Sequence, residues 1–223
     1  MLQMSSALFV RFLLTLIVSL ALTMSPSATY AAKSIDIGDA HSLPLGSTVT
    51  LKGTVTVPSG AFRSGSFDEG FAIQDKTGGI YVSIVTNLGL HIRDKVEVTG
   101  QLANSFGLLI LVPASQADVQ RKGYGQQVAP ESLATNAINE ATEGRLVQVA
   151  GVITQPVGND EPYGYRLFVD DGSGEAQVFV YASTGIDVSG LRPGQPVHVI
   201  GFSGQFVDHY EINPRIPGDI QVQ

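Results

Sequence analysis

One hairpin pattern occurs twice in the chain: FAIQDKTGGIYVSI at residues 71–84 returns as LFVDDGSGEAQVFV at residues 167–180. Phe71, Ile73, Ile80, Val82 and Ile84 correspond to Leu167, Val169, Ala176, Val178 and Val180. Apolar side chains at every second position bury one face of a strand, and the Asp/Gly-rich break between the runs suits a tight turn. A chain that builds one hairpin twice is a duplicated β unit. Its 223 residues therefore divide into two small domains.

The duplication extends beyond the hairpins. Gly46, Val49, Leu51 and Gly53 recur as Gly144, Val147, Val149 and Gly151, and LHIRDKVEVTG (90–100) recurs as LRPGQPVHVIG (191–201). Insertions fall between these blocks, as expected of loops. Each copy supplies about five strands, which predicts an all-β protein of two tandem five-stranded Greek-key OB-fold barrels. The reading places a signal peptide at 1–31, barrel 1 at 32–122, a linker with one short helix at 123–142, and barrel 2 at 143–223. Gly53, in the middle of the long first strand, marks an expected bulge or sharp bend.

Residues 1–31 have the form of an export signal: Arg11 is followed by the apolar run Phe12–Leu22, and small residues precede a cut after Ala31 or Ala32. An uncleaved membrane anchor is the competing reading, and Arg11 interrupts the run it would need. The expected location is the periplasm or the cell exterior, with no stable membrane anchor after cleavage. Cysteine is absent, which removes disulfides, thiolate nucleophiles and Cys-based metal sites. The formal charge of −7 weighs against indiscriminate nucleic-acid binding, which draws its affinity from Lys and Arg on phosphates. The second copy carries most of the acidic excess.

PLGSTVTLKGTVTVPSGAF followed by the first hairpin, and EGRLVQVAGVIT followed by the second, resemble exported bacterial tandem OB-fold domain proteins. Such domains are also found attached to secreted nucleases and phosphatases. The resemblance implies the OB fold and, by default, nucleic-acid binding. It transfers no ligand residue by position.

OB barrels present ligands on strands 2 and 3, framed by the loops joining strands 1 to 2 and 4 to 5. In copy 1 this map selects Phe62, Arg63 and Phe67 in one loop, Tyr81 and Ser83 on the strand face, and Asn104, Ser105 and Phe106 in the other loop. In copy 2 it selects Tyr163, the outward residues Arg166, Phe168, Gln177, Phe179 and Tyr181, and the loop residues Phe206, Asp208 and His209. Outward aromatics suit stacking on bases or sugar rings, and they equally suit packing against the other barrel or a partner chain. The expected function is a non-catalytic module that binds single-stranded nucleic acid or oligosaccharide. The alternative is a protein-interaction or assembly module accessory to an extracellular hydrolase.

DDGSGE (170–175) has the acidic spacing of part of a calcium loop, but QDKTGG in copy 1 makes turn chemistry the simpler reading. Asp208, His209 and Glu211 hold one imidazole beside carboxylates, too few groups for a zinc site. GFSGQ (201–205) falls short of the nucleophile turn G-x-S-x-G, and no phosphate-loop, zincin or dinucleotide motif occurs. No catalytic residue, metal ligand or cofactor is assigned.

Overall fold

A computed structural model describes residues 34–223. The signal peptide expected at 1–31 lies outside the described residues. In the first barrel the strands are β1 (Thr48–Val57), β2 (Phe71–Gln74), β3 (Gly79–Val82), β4 (Asp94–Ser105) and β5 (Leu108–Val112). They pair in the order β1-β2-β3-β5-β4, and β4 returns to β1, so the sheet closes. Only β3 and β5 run parallel within this ring. That is the strand order of an OB barrel, as the repeat predicts.

Closure depends on the length of β1. Its first part pairs with β4 through Thr48–Thr54, and its last part pairs with β2. The strand must bend between the two, and Gly53 sits at the bend: an added Cβ would stand 3.0 Å from the Ile73 Cβ and 3.1 Å from the Gln74 carbonyl. The register shift itself falls between Val55 and Val57, a few residues beyond the expected glycine. Gly53 thus gives clearance while Thr56 takes the bulge. A short helix α1 (Ile37–Ala40) adds the buried Ile37 and Ala40 to the barrel core.

The second barrel repeats the plan with β6 (Leu146–Ile153), β7 (Gly164–Asp170), β8 (Ala176–Tyr181), β9 (Pro196–Phe206) and β10 (His209–Asn213). Its order is β7-β8-β10-β9-β6, with β8 and β10 parallel. The return from β6 to β7 is short, formed by Ile153 opposite Val169 and Val152 opposite Asp170. The ten apolar residues singled out in the two hairpins are all buried, five in each core. Each such aliphatic or aromatic side chain contributes about 1.5–3 kcal/mol on leaving water, which makes the alternation decisive for the fold.

The connecting segment is more structured than a linker with one helix. It contains the end of a strand, Val119–Tyr124, that pairs with β4, then Glu131–Ser132 alongside β6, and two single 3-10 turns. Thr135 fastens it to the second hairpin, its Oγ1 donating to Asp171 Oδ1 at 2.8 Å. The turn acids are engaged locally. Asp170 Oδ1 accepts from the Gly172 and Gly174 amides, and Asp75 Oδ1 accepts from Thr77 and Gly78. These bonds account for the acidic turn as backbone chemistry.

The barrels dock through a third apolar cluster. Phe202 of β9 is 1% exposed and packs with Phe62, Tyr81, Val57, Ala72 and Ile110 of the first barrel. Gly79 and Gly144 allow the backbones to touch, since a Cβ on either would run into the carbonyl of the other. Polar contacts surround them: Gln74 Oε1 accepts from the Leu146 amide at 2.7 Å, and Arg145 Nη2 donates to the Thr77 carbonyl at 2.9 Å. Arg215 is buried in a bidentate pair with Asp219, both contacts at 2.8 Å, and its Nη1 donates to the Thr56 carbonyl across the joint. The bulged carbonyl of barrel 1 is thus satisfied by barrel 2.

Glu143 lies in this joint, 4% exposed, and accepts from the Leu109 amide at 3.1 Å. Burial, with Glu140 adding to it, raises its pKa from 4.5 to about 7. A carboxyl raised in the folded state stabilises fully below its unfolded value, and that contribution is lost as pH rises through the folded one. Stability should therefore fall by about 1–3 kcal/mol between about pH 5 and about pH 8. Urea denaturation across this range should show the slope, and Glu143→Gln should flatten it.

Candidate functional site

Docking turns the strand 2 and 3 faces of the two barrels toward each other. Where Phe62, Tyr81 and Phe202 meet, the space is filled; beyond them it opens into a cleft of about 750 Å³. That volume lies within the range of small-molecule sites. Its walls come from equivalent parts of each copy. Barrel 1 supplies the β1–β2 loop, β3 and the β4–β5 loop; barrel 2 supplies the β6–β7 loop, β7, β8 and the β9–β10 loop.

Nine of the eleven Phe, Tyr and Arg candidates named from sequence line this cleft: Phe62, Phe67, Tyr81, Phe106, Tyr163, Arg166, Phe179, Tyr181 and Phe206. Two do not. Arg63 points to solvent and pairs with Glu69 at 3.2 Å, and Phe168 lies half-buried on β7 outside the cleft. Two others differ in exposure from the expected open platform. Phe62 and Tyr81 are 3% and 5% exposed, because the second barrel covers their strand face. Phe62 sits 4.8 Å from the Tyr181 ring and 6.1 Å from Phe202, so it belongs to the floor.

The exposed aromatics form a rim with matching ends. Phe67 meets Tyr163 edge-on at 5.9 Å, joining the strand 1–2 loops of the two copies. Phe106 meets Phe206 at 5.6 Å, joining the strand 4–5 loops. At this second end the Val207 amide donates to the Phe106 carbonyl, and Gly107 bridges to Phe206. Phe67 and Phe106 both lie in the left-handed region, with φ of 58° and 51°. That conformation costs a non-glycine residue about 1–2 kcal/mol, so the loops hold exposed rings at a local cost to the fold.

The floor is polar and acidic. Asp68, 9% exposed, accepts from Tyr81 Oη at 2.6 Å, Ser66 Oγ at 3.0 Å and the Gly70 amide at 2.9 Å, while Ser83 Oγ donates to its other oxygen. Glu211, 4% exposed, accepts from Asn213 Nδ2 at 2.9 Å and Gln177 Nε2 at 3.0 Å. Burial first, then the Asp68 charge, pushes the Tyr81 phenol well above its ordinary range. Tyr181 is raised by burial and then by Glu211 and Asp68. Both phenols therefore stay neutral, available as hydroxyl groups between two carboxylates.

Arg166 and His209 are the basic residues that line the cleft among the described residues. Arg166 is already committed to Asp160, with Nη2 at 3.1 Å from Oδ1 and Nε on the other oxygen. His209 Nε2 stands 3.6 Å from Glu211, whose contact is the main cause of its raised pKa. Among the described residues no group of three or more His, Asp and Glu side chains is arranged to hold a metal ion. Asp68 and Asn213 were not singled out from sequence. Asp68 reads as one more polar loop residue, and only the outward Tyr81 and Ser83, both bonded to it, carried a hint.

The rim and floor should respond oppositely to truncation. Phe62→Ala removes a ring fixed among three others and should cost about 3–5 kcal/mol. Phe67→Gly and Phe106→Gly relieve the left-handed strain while losing one edge contact each, so their stability should change by less than about 1 kcal/mol. Thermal and urea denaturation of the three variants measures the contrast.

No family model matches the chain, and no curated protein does. Among solved structures it is similar to the p204 HINb domain, at 13% identity and a TM-score of 0.37, over 80% of this chain and 96% of that one. A murine DNA binding protein bound with ds DNA aligns at 10% identity and a TM-score of 0.39, over 74% of this chain and 90% of that one. The hypothetical protein ygiW from E. coli aligns at 18% identity and a TM-score of 0.31, over 40% of this chain and 95% of that one.

Proposed function

We propose that the chain is an exported, non-catalytic binding module that takes an oligosaccharide in the cleft between its barrels. One observation carries the choice of ligand: the cleft joins aromatic rings to buried carboxylates and amides while its one guanidinium is tied to Asp160. Sugar rings offer apolar C–H faces for stacking and hydroxyls that donate to carboxylates. Both needs are met here, by Phe67, Tyr163, Phe106 and Phe206 at the rim and by Asp68, Glu211, Gln177 and Asn213 below. A nucleic-acid strand would share the stacking but bring phosphates beside Asp68, Asp160, Glu161 and Glu211. Affinity for a strand comes chiefly from cations on phosphates, so this lining disfavours it.

Export is proposed from residues 1–31, whose charged start, apolar run and small-residue end have the form of a signal. The alternative role, as an assembly surface for another chain, would draw on fewer rings. Phe62, Tyr81, Phe202 and part of Tyr181 are spent on joining the two barrels of one chain.

A glycan array that also carries immobilised single-stranded DNA and RNA tests the reading. Glycan spots should retain the protein and single strands should not, and Tyr163→Ala with Phe206→Ala should lower glycan retention by tenfold or more, at about 1 kcal/mol or more per stacked ring. Retention by the single strands alone, unchanged in these variants, would overturn it.

A further inference from the structure

Among the described residues, Asp68 has no ionic partner. Its four donors are hydroxyls and one backbone amide, all neutral. Three of them share Oδ1, so Oδ2, bonded to Ser83 alone, keeps acceptor capacity toward the cleft. The nearest guanidinium groups in sequence and in the cleft are turned elsewhere, Arg63 to Glu69 and Arg166 to Asp160. A buried carboxylate held by neutral donors in an aromatic-walled cavity is electrostatically incomplete. Glu211 stands in a similar setting, but a protonated His209 at 3.6 Å would meet part of its charge. The unbalanced site is therefore Asp68, with the Tyr81 hydroxyl bonded to it and Tyr181 lining the same cleft. A carboxylate with spare acceptor capacity in a cleft lined by aromatic side chains suits a partly desolvated ammonium group.

We propose that the cleft selects saccharides bearing a free, protonated amine, with Asp68 as the carboxylate that receives it. This rests on the reading of the cleft as a saccharide site. The amine would donate to Asp68 Oδ2 and bring a positive charge to a carboxylate whose donors, among the described residues, are all neutral. An N-acetylated sugar of the same size would keep the hydroxyls and the ring faces but present a neutral amide. It would also require space for the acetyl group next to the buried carboxylate.

Calorimetric titration of the full protein with a glucosamine tetramer and with its fully N-acetylated counterpart, at mildly acidic pH and low salt, tests the proposal. The free-amine tetramer should bind at least about tenfold tighter, the size expected of a charge-assisted hydrogen bond. Asp68→Asn, checked for folding by thermal denaturation, should bring the two affinities to near parity, and Glu211→Gln should reduce the ratio less. Should D68N fail to fold, the wild-type ratio and the Glu211→Gln effect decide. Equal affinities, or tighter binding of the acetylated tetramer, would overturn the amine preference and leave saccharide binding standing. Failure of both tetramers to bind while array glycans are retained would also overturn it. Failure of every glycan would overturn the saccharide reading itself.

Discussion

The structure depends on the docking of two sheet faces that an OB barrel usually leaves open. Each barrel has its own apolar core, but β3 of the first and β9 of the second carry large aromatic residues on their outer sides. Tyr81 and Phe202 could not both be left in water without exposing a broad apolar patch. Packing them against Phe62 removes that patch and fixes the angle between the barrels. Backbone contact at Gly79 and Gly144 and the Arg215 bond to the Thr56 carbonyl then leave little freedom at the joint. The cleft follows from this geometry, because the parts of the faces farther from Phe202 cannot close on each other.

A division of labour among the aromatics follows. Phe62, Tyr81 and Phe202 are structural, with their rings almost wholly out of water. Phe67, Phe106, Tyr163 and Phe206 stay exposed and pair across the barrels, two of them on strained backbone. The same residue type thus serves stability at the floor and availability at the rim. The polar groups divide similarly. Asp75 and Asp170 accept from the amides of their own turns and Asp171 from Thr135 of the connecting segment, whereas Asp68 faces the cavity with neutral donors.

Much of this was legible in the sequence because β structure leaves a period-two trace. The repeated hairpins gave the ten strands, the cores and the outward faces, and the OB rule of strands 2 and 3 led to nine of the aromatic and arginine residues that line the cleft. What the alternation could not convey is where an outward residue goes once two domains meet. Tyr81 and Tyr163 look alike as outward or loop aromatics, yet one is 5% exposed and the other 46%. Arg63 and Phe168 fitted the same pattern and fall outside the cleft because loop direction and strand position are set by packing. The docking itself left only faint signs. Gly79 and Gly144 read as ordinary turn glycines, and Phe202 reads as one residue of a strand end. Asp68 was hidden for the same reason, since a loop acid acquires significance only when its neighbours exclude water and bring no cation.

If docking governs the molecule, the two barrels must behave as one cooperative unit. Native-state hydrogen exchange of the full protein, followed across denaturant, tests this most directly. Amides of β3 and of β9, on opposite sides of the Tyr81–Phe202 contact, should open with the same free energy, equal to that of global unfolding. Separate opening of the second barrel at a distinctly lower free energy, with the first still protected, would contradict the account.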